Sequence, residues 1–176
     1  MSGVLRDGDH AIDATAGNGH DTAILASAVG ARGRVFAFDT QRTALRATQA
    51  RLTAAGHLGR VTLINACHST LCAHAPPRTV RAIMFNLGYL PTGDKRITTL
   101  HTTTLAALAA AETRLSAGGV ISVLAYPGHA AGAKECAAVL DWVTGRAGPV
   151  HWAEPLPGDG AEARPRLFTG RARDRD

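Results

Sequence analysis

The chain has 176 residues, 45% apolar and 19% charged, an ordinary globular balance that suits one domain spanning residues 1–176. It holds no uncharged apolar run of about eighteen residues, so no transmembrane helix is expected. Residues 1–9 lack the apolar centre of a signal peptide, and a cytoplasmic protein without membrane contact is expected. A net charge of +5, from 19 Lys and Arg against 14 Asp and Glu, would help a polyanionic partner approach.

In chain order, short β-rich runs alternate with Ala- and Leu-rich stretches. A strand is predicted over residues 10–14, then a helix over 21–29 ending at Gly30. The next pair is a strand over 35–39 and a helix over 41–55 ending at Gly56, with Ala44, Leu45, Thr48 and Leu52 on one face. A third strand, 61–65, is followed by the ambiguous stretch 69–79, which Pro76 and Pro77 break before a fourth strand over 82–86. The Thr cluster within 98–104 could supply the N-cap of a helix over 103–117, where Leu105, Leu108, Glu112 and Leu115 fall at helical spacing ahead of Gly118 and Gly119. A strand over 120–125, a helix over 130–144 ending at Gly145, and strands over 149–153 and 166–170 complete the chain, with a Pro- and Gly-rich loop between the last two. Each closing Gly stands where a left-handed C-cap is wanted.

Such alternation implies an α/β fold: a doubly wound, mostly parallel, Rossmann-like sheet with helices on both faces. Its ligand should lie at the carboxyl ends of the strands, where strand order reverses. Cys67, Cys72 and Cys136 show no metal-ligand spacing, and their odd number argues against a disulfide framework; they read as small packing residues, and no metal is expected. Arg164, Arg166, Arg171, Arg173 and Arg175 could hold phosphates, but Asp174 and Asp176 interrupt them, so the last residues read as a solvated tail.

The strongest local signal runs from Ile12 to Thr22. Gly17 and Gly19 let the backbone turn sharply between a strand and a helix and approach a ligand closely. The third small residue of a dinucleotide fingerprint should stand at position 22, where Thr22 is found. Asp13 and Asp21 flank the bend and would repel a diphosphate, whereas they suit S-adenosylmethionine, which has no phosphate and carries a sulfonium and an ammonium group. Asp21 could also simply cap the helix. Asp39, at the end of the second strand, can accept hydrogen bonds from ribose hydroxyls of either cofactor. His68, after the third strand, could stack on or hydrogen-bond an adenine, or be an ordinary structural His.

The fourth strand closes with Phe85-Asn86-Leu87-Gly88-Tyr89-Leu90-Pro91, where the transferred methyl should lie. The uncharged side-chain carbonyl of Asn86 could hold an amine with its lone pair facing the methyl, and the ring of Tyr89 could stack a nucleobase. The amine must be neutral when it attacks, and Asp94, Tyr89 and His129 are the candidate proton acceptors, in that order. Lys95 with Arg96 could clamp a phosphate, and Tyr126-Pro127-Gly128-His129, after the fifth strand, could form a further wall of a substrate pocket.

Asp13-Ala14-Thr15-Ala16-Gly17-Asn18-Gly19-His20-Asp21-Thr22 resembles the opening motif of the MnmM/YtqB-like class I methyltransferases, formerly described as rRNA methylases. Val35-Phe36-Ala37-Phe38-Asp39-Thr40-Gln41, Asn86-Leu87-Gly88-Tyr89-Leu90-Pro91 with Gly93-Asp94-Lys95, and Tyr126-Pro127-Gly128-His129 with Glu135 are similar to further stretches of that family. The resemblance implies a seven-stranded class I fold with an antiparallel last strand. It implies S-adenosylmethionine as cofactor, and the transfer-RNA anticodon region as partner, methylated on the amine of 5-aminomethyl-(2-thio)uridine at the wobble position. Residues and resemblance together give a cofactor set of Asp13, Ala14, Gly17, Asn18, Gly19, Asp21, Thr22, Asp39, Gln41, His68 and Asn86. They give Asn86, Tyr89 and Asp94 as catalytic residues, and Tyr89, Lys95, Tyr126 and His129 as substrate contacts. Members of the family usually carry a helical segment ahead of the first strand, where this sequence has residues 1–8, and two prolines near the last strand, where it has Pro165. Ribosomal RNA or a small amine is the alternative acceptor, an NAD-dependent oxidoreductase the alternative enzyme, and a homodimer is left open.

Overall fold

The computed structural model describes residues 3–90, 96–145, 147–153 and 164–174. Runs of branched and small apolar residues form strands because each strand presents one face to either helical layer. The elements are β1 (His10–Asp13), α1 (His20–Ala28), β2 (Arg34–Phe38), α2 (Arg42–Ala54), β3 (Val61–Ile64), β4 (Val80–Asn86), α3 (His101–Arg114), β5 (Leu115–Ala125), α4 (Ala130–Thr144), β6 (Val150–Trp152) and β7 (Arg166–Ala172). The ambiguous stretch after β3 contains a 3-10 helix at His68–Ala73.

The strands make one seven-stranded sheet in the order β3-β2-β1-β4-β5-β7-β6. β1 is parallel to β2 and to β4, and β4 is parallel to β5, while β7 runs antiparallel to both β5 and β6. This is the class I architecture, with its crossover reversal between β1 and β4. One face of the sheet, with Ile12, Phe38, Ile83, Phe85 and Ile121, is covered by Leu108 of α3 and Val139 of α4. Ala11, Val35 and Ala82 on the other face meet Leu25 of α1 and Leu52 of α2. The stripe Ala44, Leu45, Thr48 and Leu52 is the buried face of α2, as its spacing implies.

Several boundaries differ from the sequence-based expectation. α3 stops at Arg114, and residues 115–117 belong to β5, because Leu115 is buried opposite Val80. The register slips between Val80 and Ala82, so Gly118 and Gly119 sit in a strand irregularity and not at a helix end. Arg81 Nη1 donates to the Ala117 carbonyl at 2.7 Å and the Ser116 hydroxyl to the Val80 carbonyl at 3.2 Å, closing the irregularity. Gly30 and Gly56 adopt the left-handed conformation expected after a helix, but Gly145 has φ −89°. The Thr cluster does not cap α3, whose N-cap is Leu100 without a side-chain bond.

Arg166 and Arg171 are strand residues, the first lying over the Phe168 ring at 5.7 Å and the second donating to the Gly118 carbonyl at 3.2 Å. Of the cysteines, only Cys136 is a buried packing residue; Cys72 is exposed and Cys67 half-buried. No helix among the described residues is long and apolar enough to cross a membrane. Leu108 is fully buried between α3 and the sheet, so Leu108→Ala is expected to lower the unfolding free energy by about 2–5 kcal/mol, read from urea denaturation.

Candidate active site

β1 and β2 end side by side, and the chain leaving β1 must satisfy its backbone N–H groups before α1 begins. Carboxylates do so. Asp13 Oδ1 accepts from the Thr15 amide at 3.1 Å, and Asp39 Oδ2 accepts from the Gly17 amide at 2.9 Å. The Gly19 amide donates to the Ala16 carbonyl at 2.8 Å. Asp39 also takes the Gln41 amide on Oδ1 at 2.8 Å, tying the bend to the start of α2. Gly19 has φ +78°, and a Cβ there would stand 2.8 Å from Thr48 Cα, so the loop packs directly on the α2 backbone. Thr48 completes this seam by donating to the Gly17 carbonyl at 2.9 Å.

The bend, the Cys67–His68 turn and the end of β4 enclose a cleft of ≈ 880 Å³, within the size range of small-molecule sites. Ala14, Gly17, Asn18, Asp39, Gln41 and His68 line one half, together with Thr40 and Cys67, which sequence reasoning missed. Asp13, Gly19 and Thr22 do not line it. Asp13 and Thr22 are buried behind the loop, where the Thr22 hydroxyl donates to Asp13 Oδ2 at 2.5 Å, and Gly19 is buried against α2. Their place in the cofactor set is therefore corrected from contact to support. Burial pushes the Asp13 carboxyl up to about 6, against the Thr22 and Thr15 hydrogen bonds that favour its charged form.

His68 is 6% exposed. Its Nδ1 lies 3.2 Å from the Ala14 carbonyl, which can only accept, so Nδ1 carries the proton. Burial lowers its pKa and keeps the ring neutral, edge-on to Phe85 with centroids 5.7 Å apart. The ring is thus fixed at the floor of the cleft.

The other half of the cleft is built from Asn86, Gly88, Tyr89, Tyr126 and His129, with Ile97, Thr98, Thr99 and Leu100. The Asn86 amide donates to the Thr15 hydroxyl at 2.7 Å, joining the end of β4 to the bend. Asn86 Nδ2 donates to Asp21 Oδ2 at 3.3 Å, so Oδ1 is left as an acceptor. Asp21 lies in the first turn of α1, two residues past its N-cap, Gly19, and does not itself cap the helix. Tyr89 and Tyr126 are each 37% exposed on the cleft walls. Burial first, and the Asp21 charge second, raise the Tyr126 pKa, so its phenol stays protonated at neutral pH.

His129 lines the cleft, with its ring 5.5 Å from that of Tyr89, but it caps α4: its Nδ1 accepts from the Gly132 amide at 3.1 Å. Its Nε2 is buried without a protein partner. The ring cannot also take a proton from a substrate in this arrangement, and the expectation of a proton acceptor there is corrected to a wall residue. Asp94 and Lys95, expected as a catalytic and a substrate residue, lie outside the described residues.

The arrangement offers a nucleoside-sized floor bounded by carboxylates, an uncharged acceptor at the end of β4, and two aromatic walls. The Thr15, Gly17 and Gly19 amides, which a dinucleotide fold would turn on a pyrophosphate, are all taken up by internal acceptors.

Comparison with known proteins agrees with this geometry. The family described as "Putative rRNA methylase" matches residues 35–147. An Arabidopsis thaliana protein named chloroplastic tRNA (mnm(5)s(2)U34)-methyltransferase is 45% identical over 141 residues, which is 75% of this chain and 52% of the relative. The chain thus spans about half the length of that curated relative. A solved structure from Clostridium thermocellum, described as a "putative rRNA-methylase", is 40% identical with a TM-score of 0.89, covering 96% of this chain and 91% of the other. A solved structure from Streptococcus mutans, described as "a putative methyltransferase" in complex with SAH, is 32% identical with a TM-score of 0.84, covering 98% of this chain and 93% of the other.

Two outcomes are expected from the loop. Gly19→Ala should raise the dissociation constant for S-adenosylhomocysteine by about tenfold or more in calorimetry, with the far-ultraviolet spectrum retained. The Asp13 carboxyl holds its proton more tightly when folded, about 6, than at its ordinary value of 3.8. Its contribution to stability is therefore fully present below pH 3.8 and is lost as pH rises through about 6, so Asp13→Asn should flatten the decline of the unfolding free energy across that window.

Proposed function

The chain belongs to the family described as "Putative rRNA methylase", and on that premise we propose that it is an S-adenosylmethionine-dependent methyltransferase that N-methylates the amine of 5-aminomethyl-(2-thio)uridine at the tRNA wobble position. The observation that carries the reading is the pairing of two halves in one cleft. A carboxylate-bound glycine bend stands on one side, and Asn86, with its Nδ2 held by Asp21, on the other. The relative from Arabidopsis thaliana, named for modification of that uridine, supports the choice of acceptor.

The residues present suit this cofactor. Asp39 would take the ribose hydroxyls on lone pairs that Gly17 and Gln41 leave free, His68 and Cys67 would flank the adenine, and the acids of the bend would attract a cation where they would repel a diphosphate. When bound, the cofactor supplies a methyl on a sulfonium, an electrophile that needs no metal or covalent enzyme intermediate. Asn86 Oδ1 would accept a hydrogen bond from the amine and so aim the nitrogen lone pair at the methyl carbon. Tyr89 and Tyr126 would hold the base between them. Such alignment is the main source of rate in a direct displacement.

On this reading the whole 176-residue chain acts as one catalytic domain, in the compartment where tRNA is matured, expected to be the cytoplasm. Ribosomal RNA is the second reading, favoured by the description of the matching family.

The deciding experiment is transfer of labelled methyl to tRNA bearing the free aminomethyl group, with ribosomal RNA alongside. Incorporation into the aminomethyl uridine of tRNA is expected; label in ribosomal RNA alone would reverse the assignment. Asn86→Ala is expected to lower turnover by about 100-fold or more and to weaken S-adenosylhomocysteine binding far less, because it removes alignment and leaves the cofactor floor in place.

A further inference from the structure

Glu135 is 2% exposed, sits on α4 and does not line the cleft. Burying a carboxylate is costly unless its oxygens are taken by donors. Here both are. The Thr99 hydroxyl donates to Oε2 at 2.5 Å and the Thr104 hydroxyl to Oε1 at 2.6 Å, the short range expected of hydroxyl-to-carboxylate bonds. Thr104 belongs to the first turn of α3, whereas Thr99 precedes that helix on the wall of the cleft.

Thr99 carries the connection onward. Its hydroxyl has one hydrogen, given to Glu135, and on a lone pair it accepts the Gly88 amide at 2.8 Å. The Thr99 amide in turn donates to the Gly88 carbonyl at 3.0 Å, and Tyr89 pairs with Thr98 as an antiparallel bridge. A two-residue ladder, Gly88–Tyr89 against Thr98–Thr99, is thus fixed to α4 through one buried carboxylate. Gly88 has φ +122°, a conformation that external bonds must hold in place. Because both carboxylate oxygens accept, Glu135 sets the direction of both hydroxyls, and so of the lone pair that receives Gly88.

We propose that Glu135 is a positioning residue for the RNA-acceptor half of the cleft. By orienting Thr99 and Thr104 it fixes the Gly88–Tyr89 wall against which the substrate base is held. The inference rests on the methyltransferase reading for its kinetic arm, but its structural arm is independent of any substrate. A glutamine at this position keeps one acceptor oxygen and places an NH2 group against the other hydroxyl, so it no longer accepts from both threonines and one hydroxyl loses the direction the carboxylate set.

The test compares Glu135→Gln, Glu135→Ala, Thr99→Val, Thr99→Ser and the Glu135→Gln/Thr99→Val double variant in the full chain. Hydrogen–deuterium exchange is read on peptides covering residues 86–90 and 96–104. Faster exchange is expected there in Glu135→Gln and Thr99→Val, with wild-type exchange in Thr99→Ser, which keeps the hydroxyl. In methyl transfer, Glu135→Gln should raise KM for RNA and lower kcat, about 100-fold in their ratio, with the dissociation constant for S-adenosylhomocysteine unchanged. The double variant should lose less than the two single losses combined, since Glu135 reaches Gly88 through Thr99.

Should Glu135→Ala fail to fold, the Glu135→Gln and Thr99 variants decide the matter. Wild-type exchange in Glu135→Gln, or equal losses of cofactor binding and RNA turnover, would overturn the proposal. Failure of the unaltered protein to methylate tRNA would overturn the assigned reaction instead, and the exchange result would then settle the role of Glu135 alone.

Discussion

A strand that turns sharply into a helix exposes backbone N–H groups, and whatever satisfies them determines what the turn can bind. In this chain carboxylates satisfy two of them from within. Asp13 takes the Thr15 amide and Asp39 takes the Gly17 amide, while the Gly19 amide closes on Ala16. A loop with these donors exposed would be a nest for phosphate. With the donors committed, it becomes a rigid, negatively biased edge suited to hydroxyls and cations. The arrangement has a cost, visible in Asp13, whose burial shifts its carboxyl up to about 6 and so opposes the charged form that the loop uses. The Thr22 hydroxyl, at 2.5 Å, offsets part of that cost.

The bend is also the structural base of the opposite wall. β1 and β4 are neighbours, so the residue leaving β4 meets the bend leaving β1. Thr15 accepts the Asn86 amide, and Asp21, in the first turn of α1, accepts from the Asn86 side chain. Asn86 is thereby anchored at both backbone and side chain by residues of the first motif. A change in the bend therefore moves the acceptor half of the cleft as well as the cofactor half.

How much of this the sequence reveals depends on the range of the contact. Among the described residues, the seven strands and the four α-helices follow from local pattern, because strands buried on both faces read as apolar runs and helices as stripes. The end of α3 does not follow. Gly118 and Gly119 look like a helix stop, but Leu115 has a place opposite Val80, and burying it in the sheet outweighs three more residues of helix. Within the first motif, residue type shows that acids matter but not which side of the chain they face; Asp39 faces the cleft while Asp13 and Thr22 lie behind it. The roles of Thr99 and Glu135 depend on a contact 36 residues apart in sequence, which no periodicity encodes. A signal was present nonetheless. Glu135 shares the buried stripe of α4 with Gly132, Cys136, Val139 and Val143, and an acid on such a stripe must have donors waiting for it.

The chemistry proposed for the cleft explains why its titratable groups are tied down. Displacement at a methyl group held by sulfur requires a neutral nitrogen in line and little else; the proton of the amine can leave to water before the base enters. Groups poised for proton transfer are then unnecessary, and three of the described titratable groups at the cleft are committed elsewhere. Tyr126 is kept protonated, His129 is occupied in capping α4, and His68 is neutral with Nδ1 turned on a carbonyl. Each instead fixes a surface against which a ligand can be aligned. Alignment is worth the most when the reacting atoms need no other help, and a carboxylate as remote as Glu135 then has reason to be buried: a displaced wall would cost rate as directly as a lost catalytic group.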